Sequence, residues 1–108
     1  LESALSDLKE FSEREKKCFP GTSRKYNSGW HQALDLKNMV DISTVATLAA
    51  LAREESRGGH ARNDFLERDD KNWLCHSLYF AETKKISKRA VNFAPKTMDA
   101  FEPKVRVY

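Results

Sequence analysis

Apolar residues recur at helical spacing from the start of the chain. Leu1, Ala4, Leu5, Leu8 and Phe11 fall on one stripe, which predicts a helix over residues 1–19. Beyond Phe11 the run SEREKK continues that helix as a solvated, charged stretch, and Pro20-Gly21 stops it. Residues 20–29 read as a polar loop. A second, longer helix is expected to begin near Asn27 or Ser28, either of which can cap it. It should run to about Arg57, with Gly58-Gly59 as its stop. That is roughly 28 residues, or about 42 Å, against about 25 Å for the first helix.

The second helix has an unusual composition. From Met39 to Ala52 it holds no Lys, Arg or Glu, and one Asp. Leu34, Ile42, Val45, Ala49 and Ala52 cover one side, while Met39, Val40, Ala46, Ala50 and Leu51 spread over much of the rest. A helix apolar nearly all round is normally buried nearly all round. One short amphipathic helix cannot cover it, so a partner outside this chain is expected to do so. The other reading is that the isolated piece self-associates, a second copy supplying the cover.

After Gly59 the period is lost. HARNDFLERDD, starting at His60, reads as an irregular, extended connection. Trp73 to Phe80 is rich in aromatic and apolar residues, Ile86 to Phe93 alternates, and Ala81 to Lys85 is polar, which predicts a β-hairpin. The tail from Ala94 contains Pro95 and Pro103 and should be extended along a surface. The expected organisation is two helices in residues 1–59, then an extended segment with hairpin and tail in 60–108.

With 40% hydrophobic and 32% charged residues, the chain is globular, and its 108 residues hold one domain or less. The net charge of +3 is a small excess, read as spread along the chain: a solvated surface rather than a nucleic-acid footprint. No apolar run is long enough for a bilayer, and no signal peptide is visible. A start at Leu1 fits a piece excised from a longer protein. Cys18 and Cys75 lie far apart and read as free packing thiols of a reducing compartment.

Candidate chemistry is sparse, and no catalytic, cofactor-binding or metal-ligating residue is assigned. Gly58-Gly59 follow a helix rather than precede one, the reverse of a phosphate-cradling loop. His31, His60 and His76 are dispersed and form no ligand set. Asp69-Asp70 reads as a turn or cap rather than an acid–base pair, because adjacent side chains diverge. Trp73, Tyr79 and Phe80 read as packing rather than as a stacking platform for bases. Glu54 and Glu55 would sit in the last helical turn, where carboxylates oppose the macrodipole. Arg53, Arg57, Arg62 and Arg68 are the candidate partners, and a cluster of arginine–carboxylate contacts is expected there. Glu55, Arg57, His60, Arg62 and Arg68 are singled out as structural or interface residues. Such a cluster can lock the module onto a neighbour or staple the exit of the chain from the helix.

The run REESRGGHARNDFLERDDKNWLCHSL, Arg53 to Leu78, closely resembles the C-terminal region of succinate dehydrogenase flavoprotein subunits. LDLKNM (Leu34 to Met39), KRAVNF (Lys88 to Phe93) and PKVRVY (Pro103 to Tyr108) are similar to the same family, and the resemblance is weakest over residues 1–29. Fumarate reductase flavoproteins and L-aspartate oxidases share the ESRG block. The segment WLCHSLYF and the final Arg106 and Tyr108 resemble bacterial succinate dehydrogenase most. The resemblance implies a parent enzyme that oxidises succinate with FAD held by domains outside this chain. It implies as partners the parent's flavin-binding domain, an iron–sulfur subunit and membrane anchor subunits, at the cytoplasmic face of a bacterial inner membrane. It implies a mainly α fold: a helical hairpin from a three-helix, spectrin-repeat-like bundle, then the irregular segment, the small β-hairpin and the extended tail. No catalytic role transfers to any residue here, so the piece alone is expected to be an inactive structural module.

Overall fold

The computed structural model describes residues 1–102 and 104. Helix α1 spans Glu2–Glu15 and α2 spans Ser28–Ala52. A single-turn helix α3, Asp70–Trp73, precedes strands β1, Cys75–Phe80, and β2, Lys85–Ala90. The fold is thus mainly helical with one small antiparallel hairpin. The chain forms two compact units, Leu1–Ala52 and the residues from Arg53 onward. The expected contributions of Pro103, Arg106 and Tyr108 lie outside the described residues.

In the first unit α1 packs against α2. Helix α1 stops at Glu15, short of the expected residue 19. The N–H groups of Lys17 and Cys18 donate to the carbonyls of Arg14 and Glu15 in a tightened last turn. Phe19 precedes Pro20, a position that disfavours helical backbone. Asn27 caps α2: its Oδ1 accepts from the Gly29 N–H at 2.9 Å, while its Nδ2 donates to the carbonyls of Pro20 and Ser23. Gly29 is required there, because a Cβ would stand 2.9 Å from Asn27 Oδ1 and 3.2 Å from the Pro20 carbonyl. The cap thus ties the start of α2 back to the loop before it.

Helix α1 covers little of α2. Val40 is its one buried residue, while Leu34, Met39 and Ile42 are 58%, 64% and 70% exposed. A shallow groove of about 500 Å³ runs between the two helices, with Leu8, Phe11, Leu36, Met39 and Val40 in its walls. The apolar girth read from the sequence is therefore present, and much of it is open.

From Ala52 onward the structure corrects four expectations. Helix α2 ends at Ala52, not near Arg57. Gly58-Gly59 does not terminate it; the pair forms a tight reverse turn in which Arg57 and His60 exchange backbone hydrogen bonds of 2.8 and 3.0 Å. Gly58, at φ +58°, takes the left-handed conformation that this turn needs. Trp73 belongs to α3 rather than to a strand. Asp69 caps that helix, its Oδ1 accepting from the Asn72 N–H at 3.0 Å and its Oδ2 from Asn72 Nδ2 at 2.7 Å. The hairpin register runs from Cys75 opposite Ala90 to Phe80 opposite Lys85, so β2 starts and ends earlier than expected. Lys84, at φ 53°, closes the turn.

Candidate functional site

The cluster at the start of the second unit is built around Glu55, whose side chain is fully buried. A buried carboxylate is tolerable only when paired and hydrogen-bonded. Glu55 Oε1 accepts from Arg53 Nε at 2.9 Å and Arg57 Nε at 2.8 Å. Its Oε2 accepts from Arg57 Nη2 at 3.0 Å and from the Asp69 N–H at 2.9 Å. Among the described residues no buried side-chain nitrogen or oxygen lacks a partner.

Arg53 extends this arrangement to the hairpin. Its guanidinium donates to the Trp73 carbonyl, to the Cys75 carbonyl at 3.1 Å and to Ser77 Oγ at 3.2 Å. It also lies over the Trp73 ring, 5.4 Å from the centroid, while Lys88 Nζ sits 3.2 Å from that centroid. One planar fork thus fixes the start of β1 against the chain leaving α2.

Arg57 reaches on to Asp70 Oδ1 at 2.6 Å, and Arg68 binds the other oxygen of Asp70 at 2.5 Å. Arg68 also donates to the Lys104 carbonyl at 3.0 Å, tethering the tail. His60 and Arg62 converge on the Arg53 carbonyl, His60 Nε2 and Arg62 Nη1 each at 3.2 Å. Arg62 pairs with Asp64, which is its strongest electrostatic partner, and it lies over Phe65. Ser56 Oγ accepts from the Arg62 N–H at 2.9 Å and donates to the Phe65 carbonyl at 2.7 Å.

Of the residues singled out from sequence, Glu55, Arg57 and Arg68 meet in one ion-pair chain through Asp70, and His60 and Arg62 flank it. Glu55 is not in a last helical turn, so the macrodipole conflict does not arise for it. Glu54 is exposed beside it. Sequence reasoning underweighted Arg53 and missed Asp70, Ser56 and Ser77. Arg53 to Ser77 is a contact across 24 positions, which no local pattern carries.

The electrostatics favour ion pairing over proton transfer. Burial pushes the Glu55 carboxyl up, but hydrogen bonds from Arg57, the Asp69 N–H and Arg53 outweigh it and hold the pKa below 4.5. Arg57 is raised, chiefly by its bond to Glu55, and Asp70 is lowered, first by Arg57 and then by Arg68. A carboxylate whose folded pKa is depressed adds stability above its unfolded pKa and loses it as pH falls through the folded one. Unfolding by urea should therefore become easier as pH drops below about 4.5, and Glu55→Gln should flatten that slope. An unchanged slope in the variant would show that Glu55 is not the group responsible.

A Cβ on Gly58 or Gly59 would meet no neighbouring atom within 4 Å. Among the described residues no group of three or more His, Cys, Asp or Glu could hold a metal ion. No helix of the described residues is long and apolar enough to cross a membrane.

The family model described as fumarate reductase flavoprotein C-term matches residues 1–108. The succinate dehydrogenase flavoprotein subunit of Coxiella burnetii is 41% identical over 98% of this chain, a match covering 18% of that relative. The mitochondrial succinate dehydrogenase [ubiquinone] flavoprotein subunit of Oryza sativa subsp. japonica is 39% identical over 77% of the chain and 14% of its own length. A fumarate reductase flavoprotein subunit of Mycobacterium tuberculosis is 37% identical over 80% of the chain and 14% of its own length. The chain thus spans under a fifth of these relatives. A family match over residues 1–108, together with relatives of both names, places this chain in the C-terminal domain family shared by succinate dehydrogenase and fumarate reductase flavoproteins.

Proposed function

We propose that this chain is the C-terminal structural module of a bacterial succinate dehydrogenase flavoprotein. The observation that carries the enzyme assignment is the 41% identity to a bacterial succinate dehydrogenase flavoprotein subunit over nearly the whole chain. The parent would oxidise succinate to fumarate with FAD held by its other domains. It would pass electrons to an iron–sulfur subunit and on to quinone through membrane anchor subunits, at the cytoplasmic face of the inner membrane. The residues here contribute no chemistry to that reaction. They form a rigid cover: the open face of α2, with Leu34, Met39 and Ile42, takes a third helix from the parent chain, completing a three-helix bundle. Glu55, Arg57, His60, Arg62 and Arg68 hold the exit from α2 in the shape that docks on the flavin-binding domain. Fumarate reductase is the alternative, supported by the 37% identity to a flavoprotein of that name.

The test uses the full parent flavoprotein carrying Met39→Asp and Ile42→Asp together. Loss of assembly with the remaining subunits and of succinate-dependent dye reduction is the expected result, with helical content of the isolated 108-residue chain retained. Normal assembly and turnover would overturn the cover reading. Dye reduction by the isolated chain with succinate would overturn the claim that its residues carry no chemistry. Comparing succinate oxidation with fumarate reduction in the wild-type complex separates the two enzyme readings.

A further inference from the structure

The net charge of the chain is not spread as its composition suggests. Residues 81–90 hold Lys84, Lys85, Lys88 and Arg89 against Glu82 alone, which equals the whole excess of +3. Four arginines earlier in the same unit are neutralised: Arg53, Arg57, Arg62 and Arg68 each pair with a carboxylate within 4 Å. Among the described residues Lys84, Lys85 and Arg89 have no such partner, and all three are exposed.

The hairpin register explains their placement. Alternation puts Cys75, Ser77, Tyr79, Ile86 and Lys88 on the face that meets Arg53 and Trp73. The opposite face carries His76, Leu78 and Phe80 on β1 against Arg89, Ser87 and Lys85 on β2. Phe80 is 47% exposed there, with Lys85 directly across from it. Among the described residues the sheet has two strands and no backbone hydrogen bond from outside the hairpin reaches Lys85–Ala90, so they leave the outer edge of β2 open. A cationic edge repels another copy of itself, but it does not repel a strand of opposite charge.

We propose that the free edge of β2 is a docking site for an extended, acidic protein segment. That segment adds as a third antiparallel or parallel strand and sets carboxylates opposite Lys85 and Arg89. Its backbone groups pair with the unfilled edge, and an apolar side chain in it covers Phe80 and Leu78. This goes beyond the cover role and needs nothing from the apolar face of α2.

The probe is a capped six-residue peptide of alternating glutamate and valine, with a lysine–valine peptide of equal length as control. Binding to the 108-residue chain is read by fluorescence anisotropy, and amide hydrogen exchange reports on β2. The glutamate peptide should bind at least about tenfold more tightly than the lysine peptide, with the difference shrinking as salt rises. It should slow exchange at amides within Lys85–Ala90. The charge-reversed variant Lys85→Glu/Arg89→Glu should lose that binding, while Lys9→Glu/Lys25→Glu, an equal charge change in the other unit, should keep it. Absence of binding overturns the proposal. So does binding without slowed exchange in β2, or equal binding of a DNA oligonucleotide, since either would reveal diffuse attraction to a polyanion.

Discussion

Replacing Glu55 with alanine should lower the unfolding free energy by roughly 3–5 kcal/mol, the range for breaking a buried ion pair from one side. The removed carboxylate accepts from Arg53, Arg57 and the Asp69 N–H, and its side chain has no contact with water. Its loss leaves two guanidinium groups that are 14% and 25% exposed without their main counter-charge. Arg57 keeps Asp70, so the greater strain falls on Arg53. Glu55→Gln keeps the shape and part of the hydrogen bonding and should lose less than alanine does. Equilibrium urea unfolding, followed by the fluorescence of buried Trp73 in a Trp30→Phe background, measures both. A loss under about 1 kcal/mol for the alanine variant would place the site among pairs that contribute as little as exposed ones.

Arg53→Met should be nearly as costly, at about 3–5 kcal/mol, for the complementary reason. It strips Glu55 of one donor and also leaves the carbonyls of Trp73 and Cys75 without the guanidinium. Arg53→Lys tests geometry against charge. An ammonium on a flexible stem cannot span Glu55, two carbonyls and Ser77 Oγ as a planar fork does. The lysine variant should therefore recover only a minor part of the loss. Hydrogen exchange adds a local readout: amides of Cys75–Phe80 should speed up in both variants more than those of Ser28–Ala52. Full rescue by lysine would mean that charge alone holds the hairpin in place.

Much of the fold was legible because its signals are local. The stripe of Leu5, Leu8 and Phe11, the Asn27 cap and the run from Met39 to Ala52 with Asp41 as its one charge each act over a few residues, and the helices form where those residues indicate. The hairpin was legible for the same reason, though shifted by a few positions at its ends. The site was legible as a composition: arginines and carboxylates crowded into one block must pair. Which ones pair was not. Arg62 takes Asp64, two residues away, whereas Glu55 is reached by the backbone of Asp69, fourteen residues on.

By itself, the sequence determined the two long helices, the hairpin, the family, and the excess of apolar surface on α2. Tertiary structure decided where α2 ends, that Gly58-Gly59 turns rather than caps, that Trp73 sits on a helical turn, and that Glu55 is buried. The reason is one of scale. Helix propensity separates ordinary residues by up to about 0.7 kcal/mol each. A charge-assisted hydrogen bond in a buried site is worth about 1.5–3 kcal/mol. Where Arg53 and Glu55 can reach the backbone and side chains of residues 57–77, that difference pulls the chain out of the helix, and no reading of residues 53–57 alone could weigh it.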